Sequence, residues 1–452
     1  MRVHFIAIGG AAMHNLAIAL HRKGYQVTGS DDKIFDPSRA RLQREGILPA
    51  EMGWHPERIN EELDAIILGM HAREDNPELA RAKELGLTIY SYPEYLFQQS
   101  KEKQRVVIGG SHGKTSITAM ILHVLQDQGV PCDYMVGAQL DGFDCMVKLS
   151  DAPMIILEGD EYLSSPIDRR PKFHLYRPHV AVLSGIAWDH INVFPTFENY
   201  VEQFRLFIDT IEEGGTLIYY AEDPELKQIA QSIRANIVTH PYSTHPHRID
   251  QGVTHLEDGS ESYPLEVFGQ HNLQNLNAAL HVCLSLGLSK EQFYTSISGF
   301  SGAARRLELV KKNAHSVFYK DFAHSPSKLK ATTDALKEQY PERELIACME
   351  LHTFSSLNKD FLSQYAGSMA KADKALVFFD PSVVAQKRLE AIDAQEIEQA
   401  FATANVTAYE RSEEILTALR QMDWHNRNLL LMTSGNFNGL DIPALADELI
   451  PG

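Results

Sequence analysis

The chain has 452 residues, of which 44% are hydrophobic and 23% are charged, a composition typical of a folded globular protein. This length exceeds what a single hydrophobic core supports, so we expect two or three domains. The formal net charge of -18 repels phosphate polymers and argues against nucleic acid as a partner. No window holds the roughly 18 apolar residues of a membrane-spanning helix, so no membrane partner is expected.

The cysteines and the N-terminus predict a cytoplasmic protein. The cysteines are far apart and fit no CxxC pattern, so we expect reduced thiols and no disulfides. The apolar start MRVHFIAIGG leads into a glycine turn and a helix without a processing site, and it therefore predicts a first strand and not an export signal.

Strands and helices alternate along the first 102 residues, a pattern typical of a parallel sheet. The predicted elements are strands at 3–8, 25–28 and 65–68 and helices at 11–23 and 76–85. A charged, glutamine-rich stretch at 98–105 follows, and it predicts a domain boundary near residue 102.

Two further α/β regions follow, and a glycine-containing stretch near residue 300 separates them. The first has predicted strands at 106–108, 154–158 and 180–184, helices at 197–213 and 272–286, and a loop with a hairpin at 241–264. The second has predicted strands at 316–320, 345–348, 375–379 and 428–432 and helices at 326–338, 359–371 and 394–403, the alternation of a doubly wound domain. We therefore expect domains at 1–102, 103–300 and 301–452.

The segment VVIGGSHGKTSITAMIL, which begins at Val106, contains the strongest functional motif. A strand, a glycine turn, Gly-Lys-Thr and an apolar helix follow one another, as in a phosphate-binding loop. Backbone N–H groups of such a turn hold phosphate oxygens, Lys114 adds a positive charge, and Thr115 or Ser116 can bind Mg²⁺. Ile108 stands where the common GxxxxGK[ST] pattern has its first glycine, so this loop is shorter. The motif predicts ATP binding, and the alternative is a turn that contains Gly-Lys-Thr by chance.

A second glycine turn, at residues 7–13, follows the first strand. Only Gly9 matches the GxGxxG register of dinucleotide-binding proteins, although Asp31 ends the second strand about 20 residues later, where an acidic residue is expected. A turn at a helix N-terminus binds any diphosphate, including that of a sugar nucleotide. A nucleotide sugar, NAD and a turn that only packs all stay open from these residues.

A series of motifs in chain order resembles those of the Mur ligase family. The motifs are GSHGKTS at 110–116, LEGDEY at 157–162, Asp189-His190, FGQHNLQN at 268–275, RRLE at 305–308 and KDFAHSP at 320–326. The resemblance covers nearly the whole chain. It implies an N-terminal Rossmann-like domain for a UDP-sugar, a central P-loop ATPase α/β domain, and a C-terminal Rossmann-like domain that closes over ATP.

The resemblance also implies a site that uses ATP and Mg²⁺. The expected catalytic residues are Lys114, Glu161 and His190, and the expected Mg²⁺ ligands are Thr115, Glu161 and His190. The expected ATP contacts are Gly110, Ser111, His112, Gly113, Lys114, Thr115, Ser116, His271, Asn272, Asn275, Arg306 and Asp321. The expected UDP-sugar contacts are Gly9, Gly10, Ala11, Ala12, Met13 and Asp31. Without the family context, Asp189-His190 would be interpreted as a polar turn, and Asn272 as the N-cap of a helix.

The acceptor is predicted from the central segment. Several family members carry a carbamylated lysine where ungapped alignment puts Phe204, and the branch without it uses UDP-N-acetylmuramate itself. Residues 159–173, GDEYLSSPIDRRPKF, resemble the member that joins the tripeptide L-Ala-γ-D-Glu-meso-diaminopimelate to this sugar nucleotide in cell-wall recycling. We therefore predict a tripeptide ligase, with L-alanine addition as the alternative. The stretch at 350–355 lacks the arginine of the family's EPRSNT, which leaves the amine specificity open.

The predicted protein is thus an ATP-dependent carboxylate–amine ligase of peptidoglycan metabolism, a monomer or a homodimer. An NAD-dependent oxidoreductase is the remoter alternative, since two regions are Rossmann-like. That alternative does not account for Gly113-Lys114-Thr115.

Overall fold

The computed structural model describes residues 1–140, 142–188, 193–302 and 307–451. Their contacts divide the chain into two compact units, Met1–Ser243 with Gln274–Ile297, and Thr244–Leu273 with the residues from Ser298 onward. Strands alternate with helices in both units, which confirms the predicted α/β fold. No helix in the described ranges combines the length and the apolar character needed to traverse a bilayer.

A four-stranded parallel sheet, in the order β2-β1-β3-β4, forms the N-terminal part of the first unit. Its strands are β1 (Arg2–Ile6), β2 (Gln26–Ser30), β3 (Ala65–Leu68) and β4 (Ile89–Ser91), and its helices are α1 (Ala11–Arg22), α2 (Ser38–Arg44), α3 (Pro77–Glu84) and α4 (Tyr92–Ser100). β1 ends two residues earlier than predicted because Ala7 adopts a φ of 69° and starts the glycine turn.

A seven-stranded sheet, in the order β11-β10-β9-β5-β8-β6-β7, follows in the same unit, and only β7 runs antiparallel to its neighbour. Its strands are β5 (Gln104–Gly109), β6 (Asp133–Met135), β7 (Val147–Lys148), β8 (Met154–Glu158), β9 (Val180–Leu183), β10 (Thr216–Tyr220) and β11 (Val238–Tyr242). Its helices are α5 (Lys114–Asp127), α6 (Phe197–Asp209) and α7 (Pro224–Ala230). The sequence did not predict β6, β7, β10, β11 or α7. β11 is an edge strand with little burial, so its apolar pattern is weak.

The second unit contains two sheets. The smaller is antiparallel and consists of β12 (His247–Asp250), β13 (Val253–Asp258) and β14 (Glu261–Leu265). Next in the chain come α8 (Gln270–Ser285), which belongs to the first unit from Gln274 onward, and α9 (Lys290–Ile297), which lies wholly in the first unit. The larger has the order β15-β16-β20-β17-β18-β19 and consists of β15 (Glu308–Lys312), β16 (Val317–Asp321), β17 (Glu344–Leu351), β18 (Lys374–Phe379), β19 (Val406–Tyr409) and β20 (Arg427–Met432). Its helices are α10 (Pro326–Gln339), α11 (Lys359–Leu362), α12 (Pro381–Gln386), α13 (Ala394–Phe401), α14 (Ser412–Arg420) and α15 (Ile442–Leu449).

The helix predicted at 359–371 was too long. α11 spans four residues, and a 3₁₀ turn at Ser363–Tyr365 follows it. Gly367 then adopts a φ of 72°, a conformation that ends helices.

The core of the first unit is continuous across its two sheets. Val3 and Leu16 of the N-terminal part belong to the same buried cluster as Cys145, Val147 and Leu157. Asn15 adds polar contacts, because its side-chain oxygen accepts from the Met146 N–H at 3.0 Å. The boundary near residue 102 therefore lies inside one packed unit, and its position stays a prediction. All four cysteines are free thiols, as predicted.

Candidate functional site

The turn between β5 and α5 is closely packed. Gly110 and Gly113 have φ angles of 124° and 80°, which favour glycine. A Cβ at Gly110 would lie 2.2 Å from Ser184 Oγ, and one at Gly113 would lie 2.3 Å from Asn275 Oδ1. Only glycine fits both positions. Asn275, a predicted ATP contact, lies against the loop that carries the predicted contacts from Gly110 to Ser116.

Lys114 begins α5 and points back across the turn. Its Nζ donates to the Gly110 carbonyl at 2.6 Å and lies 2.8 Å from Glu161 Oε2. Burial disfavours the charged amine, but the Glu161 carboxylate outweighs it and holds the pKa of Lys114 above its ordinary value. Lys114 is therefore a fixed cation at neutral pH, next to the turn predicted to bind phosphate.

Glu158 is a further site residue that the sequence analysis missed. It ends β8, pairs in register with Ile108 of β5, and so lies beside the start of the turn. Thr115 Oγ1 donates to Glu158 Oε1, and the Gly137 N–H donates to Glu158 Oε2, each at 2.9 Å. Burial raises the pKa of Glu158 above its ordinary value despite these donors. Its position at the carboxyl end of a strand next to β5 was the available signal.

Tyr200 on α6 is a second residue that the sequence analysis missed. Its hydroxyl donates to Glu161 Oε1 at 3.1 Å and lies 2.9 Å from Ser111 Oγ. On this helix the sequence pointed only to Phe204, the position of the family's lysine. That position is four residues further on, so it lies on the same helical face as Tyr200.

The element from Asp168 to Phe173, which suggested a tripeptide acceptor, contacts its own loop and two neighbouring helices. Arg170 lies 3.4 Å from Glu94 Oε1 of α4, and the Phe173 ring stacks on Phe207 of α6. Lys172 Nζ is hydrogen-bonded to Asp160 Oδ2. Burial opposes ionisation of Asp160, but Lys172 outweighs it and lowers the pKa of Asp160. Ser164 donates from both N and Oγ to the Arg170 carbonyl. These residues therefore fold the loop beside Glu161.

The N-terminal glycine turn leads directly into α1. The Gly9 N–H donates to Asp31 Oδ2 at 2.7 Å, and a Cβ at Gly9 would lie 2.9 Å from that oxygen. Burial raises the pKa of Asp31 above its ordinary value. Gly10 is the N-cap of α1 without a side-chain cap, and Ala11 and Ala12 are exposed while Met13 is buried. Asp31 thus fastens the turn, and its predicted UDP-sugar contact stays a prediction.

His271, Asn272 and Asp321 belong to the second unit. The two carboxylate oxygens of Asp321 accept from the N–H groups of Leu307 and Ala323, at 2.7 Å and 2.6 Å. α8 begins at Gln270, and Asn272 donates to the Phe268 carbonyl at 2.8 Å. The N-cap interpretation of Asn272 was therefore wrong, because the helix starts before it.

His190 and Arg306, with their neighbours Asp189 and Arg305, lie outside the described residues, and their roles stay predictions. Among the described residues no group of three His, Cys, Asp or Glu could hold a metal ion. The donors near the turn, the Thr115 hydroxyl and the carboxylates of Glu158 and Glu161, nevertheless suit Mg²⁺. This ion is usually bound through one or two carboxylates, substrate phosphates and waters.

Comparisons with known proteins identify the family. Three family models match in succession: "Mur ligase family, catalytic domain" at residues 2–104, "Mur ligase middle domain" at 108–283, and "Mur ligase, glutamate ligase domain" at 305–436. A UDP-N-acetylmuramate–L-alanine ligase from Desulfitobacterium hafniense (strain Y51) is 30% identical over 440 residues, 93% of this chain and 94% of that relative. The chain belongs to the Mur ligase family. It is accordingly an ATP-dependent carboxylate–amine ligase with the predicted three-domain α/β fold, and the oxidoreductase alternative is excluded.

Solved Mur ligases share this fold. A UDP-N-acetylmuramate–alanine ligase from Thermotoga maritima has a TM-score of 0.68 at 19% identity, covering 100% of this chain and 98% of that one. A murein peptide ligase from Psychrobacter arcticus 273-4 has a TM-score of 0.61 at 21% identity, covering 99% and 98%. At these identities the likeness concerns the fold alone.

The prediction of a tripeptide ligase was wrong. Eight relatives at 26% to 30% identity are all named UDP-N-acetylmuramate–L-alanine ligase, which favours the alternative. The prediction depended on Asp168–Phe173, and the observed contacts of these residues are packing contacts within this chain, to their own loop and to α4 and α6. The cytoplasmic location and the oligomeric state stay predictions.

Proposed function

We propose that this Mur ligase joins L-alanine to UDP-N-acetylmuramate and converts ATP to ADP and phosphate. The observation that carries the proposal is the charged Lys114–Glu161 pair at the glycine turn, in a chain similar to L-alanine ligases over 93% of its length. The pair supplies a fixed positive charge for phosphoryl transfer, and the likeness supports the choice of acceptor.

ATP binds with its phosphates in the turn at residues 110–113, at the N-terminus of α5, where backbone N–H groups and the helix dipole favour anions. The phosphates are anions, like the Glu161 carboxylate, and they bind beside Lys114. They therefore compete with Glu161 for the Lys114 ammonium group and attract it toward themselves. Thr115, Glu158 and Glu161, together with the predicted ligand His190, are the residues that would hold Mg²⁺. When bound, this ion supplies positive charge to the phosphate oxygens.

The sugar nucleotide binds at the N-terminal glycine turn. The N-terminus of α1 carries the N–H groups and the partial positive charge that bind a diphosphate, and Gly10 leaves this terminus without a side-chain cap. The Gly9–Asp31 hydrogen bond keeps the turn in shape.

The first chemical step is transfer of the γ-phosphoryl group to the lactyl carboxylate. A carboxylate oxygen forms a bond to the γ-phosphorus, the bond from that phosphorus to the β–γ bridging oxygen breaks, and ADP leaves with the electron pair. Two unit anions about 4 Å apart repel by roughly 4 kcal/mol at an effective dielectric constant near 20. Lys114 lowers this repulsion and stabilises the charge on the transferred group.

The second step forms the amide. The neutral amine of L-alanine attacks the carbonyl carbon of the acyl phosphate, the carbon–oxygen bond to phosphate breaks, and inorganic phosphate leaves. The ammonium form has a reference pKa of about 8, so the amine loses one proton before the attack. Its second proton leaves afterwards to the solvent or a nearby base.

Phosphate release with alternative acceptors tests the proposal. The purified chain is incubated with ATP, Mg²⁺ and UDP-N-acetylmuramate, and L-alanine, glycine, D-alanine or the tripeptide is added in separate reactions. We expect the highest kcat/KM with L-alanine and a product heavier than the sugar nucleotide by one alanine residue in the mass spectrum. Turnover with the tripeptide but not with L-alanine would refute the proposal.

A further inference from the structure

The hydroxyl of Tyr200 is buried beside the carboxylate of Glu161. Tyr200 itself is fully buried, and Glu161 is 1% exposed. Its ring packs against Phe204 and Phe194, with centroid distances of 5.2 Å and 5.5 Å. α6 therefore places one polar atom, the Tyr200 hydroxyl oxygen, in the site, while the rest of the side chain packs among aromatic rings.

The hydrogen bonds at this hydroxyl have one consistent direction. An ionised carboxylate only accepts, so Tyr200 uses its single hydrogen toward Glu161 Oε1, at 3.1 Å. It then accepts from Ser111 Oγ at 2.9 Å, and Ser111 Oγ accepts from the Ala187 N–H at 2.8 Å. The chain of donors thus runs from the segment after β9, through the phosphate loop, to Glu161.

The two oxygens of Glu161 are held from different sides. Oε2 accepts a hydrogen bond from Lys114 Nζ at 2.8 Å, and Oε1 accepts one from the Tyr200 hydroxyl. If bound phosphates drew Lys114 away from Glu161, the Tyr200 hydrogen bond to Oε1 would still orient the carboxylate. A carboxylate that keeps its orientation in this way can meet a cation without first reorganising.

We infer that Tyr200 is a positioning residue for phosphoryl transfer, and that its hydroxyl orients Glu161 toward the cation that accompanies ATP. The inference rests on the role proposed above for Glu161. α6 does not need the hydroxyl to pack, because Phe204 and Phe207 fill the same buried face without a polar atom. Burial of a hydroxyl costs free energy unless it is hydrogen-bonded, and here Ser111 and Glu161, its partners in the described ranges, both lie in the site.

The Tyr200→Phe substitution tests this role, since it removes one oxygen and keeps the ring. We expect kcat for phosphate release to fall about 10- to 100-fold, the range seen when a partner of a metal ligand is lost. The melting temperature and the KM for UDP-N-acetylmuramate should stay close to the wild-type values. Mn²⁺ binding in the presence of ADP, measured by electron paramagnetic resonance, should weaken by about 10-fold.

Tyr176→Phe is the matched control. Tyr176 is fully buried in the same unit, and its hydroxyl has no hydrogen-bond partner among the described residues. We expect its kcat and Mn²⁺ affinity to match those of the wild type. An equal loss in both variants, or values within twofold of the wild type for Tyr200→Phe, would overturn the inference.

Glu161→Gln separates the inference from the proposed function. If Glu161→Gln keeps the wild-type Mn²⁺ affinity, the proposed metal role of Glu161 is wrong, and the inference falls with it. If Glu161→Gln weakens Mn²⁺ binding and Tyr200→Phe does not, only the positioning role of Tyr200 is wrong. The Mn²⁺ measurement needs no acceptor, so it stays valid if L-alanine proves not to be the substrate.

Discussion

Thr115 donates its hydroxyl hydrogen to Glu158 over 2.9 Å and so joins the first turn of α5 to the end of β8. The other carboxylate oxygen of Glu158 accepts from the Gly137 N–H. Thr115, the predicted Mg²⁺ ligand, is therefore hydrogen-bonded to a carboxylate of the LEGDEY motif for which no role was predicted.

Removing the Thr115 hydroxyl should impair both activity and stability. Thr115→Val leaves the buried Glu158 with one donor fewer, at an expected cost of about 1–3 kcal/mol in the free energy of unfolding. Turnover should fall by at least about 100-fold if the hydroxyl also serves the bound cation. Urea unfolding and phosphate release measure the two effects. Thr115→Ser keeps the hydroxyl and should retain most of the activity and most of the stability. Losses in Thr115→Ser as large as those in Thr115→Val would contradict this role.

Lys114→Met should abolish turnover and also destabilise the protein. It leaves the Glu161 carboxylate buried without its cation, and breaking a buried ion pair in this way costs about 3–5 kcal/mol. The double variant Lys114→Met/Glu161→Gln removes both charges and should recover much of the stability but no activity. Urea unfolding of the wild type, the single variant and the double variant measures the recovery. Activity in either variant would show that Lys114 is dispensable.

Gly113→Ala should prevent formation of the phosphate loop. The added Cβ would lie 2.3 Å from Asn275 Oδ1, at a φ of 80°, so the loop has to move. Gly129→Ala is the control, because its φ is 66° and no atom lies within 4 Å of the added carbon. The control should lose about 1–2 kcal/mol of stability from the backbone conformation alone and keep its ATP affinity. Equal ATP binding by both variants, measured by calorimetry, would refute the steric argument.

The buried Glu78 carboxylate, which lies next to His4, should make the free energy of unfolding of the N-terminal part fall at low pH. Glu78 is 0% exposed, accepts from the His55 N–H at 2.6 Å, and lies 3.4 Å from His4 Nε2. Burial opposes its ionisation, but His4, Ser30 and the His55 N–H outweigh burial and lower the pKa of Glu78. Its stabilising effect is therefore full above the ordinary value of 4.5 and is lost as the pH falls through the lowered pKa.

Glu78→Gln checks this dependence. The variant should unfold at a lower urea concentration than the wild type at pH 7, and the difference should shrink below about pH 4, as the wild-type carboxylate takes up its proton. Glu84→Gln on the same helix alters an exposed carboxylate and should change the midpoint little. A difference for Glu78→Gln that grows toward low pH would contradict the assigned direction.

The sequence by itself determined the fold class and the phosphate-binding turn, because both depend on contiguous residues. Alternating apolar runs predict parallel strands with intervening helices, and Gly113-Lys114-Thr115 between a strand and a helix predicts the turn. The same local reasoning failed for the acceptor. The residues from Asp168 to Phe173 look like a specificity element when seen alone, but their partners in the structure include Asp160, Ser164 and Phe207 of this chain.

Only the tertiary structure decided which side chains complete the site. Glu158 and Tyr200 lie 43 and 39 residues along the chain from the groups that they contact, Thr115 and Glu161. No local pattern marks such pairs. They meet because the carboxyl ends of β5, β8 and β9 lie at one edge of a parallel sheet, and because a helix buries its aromatic face against that edge.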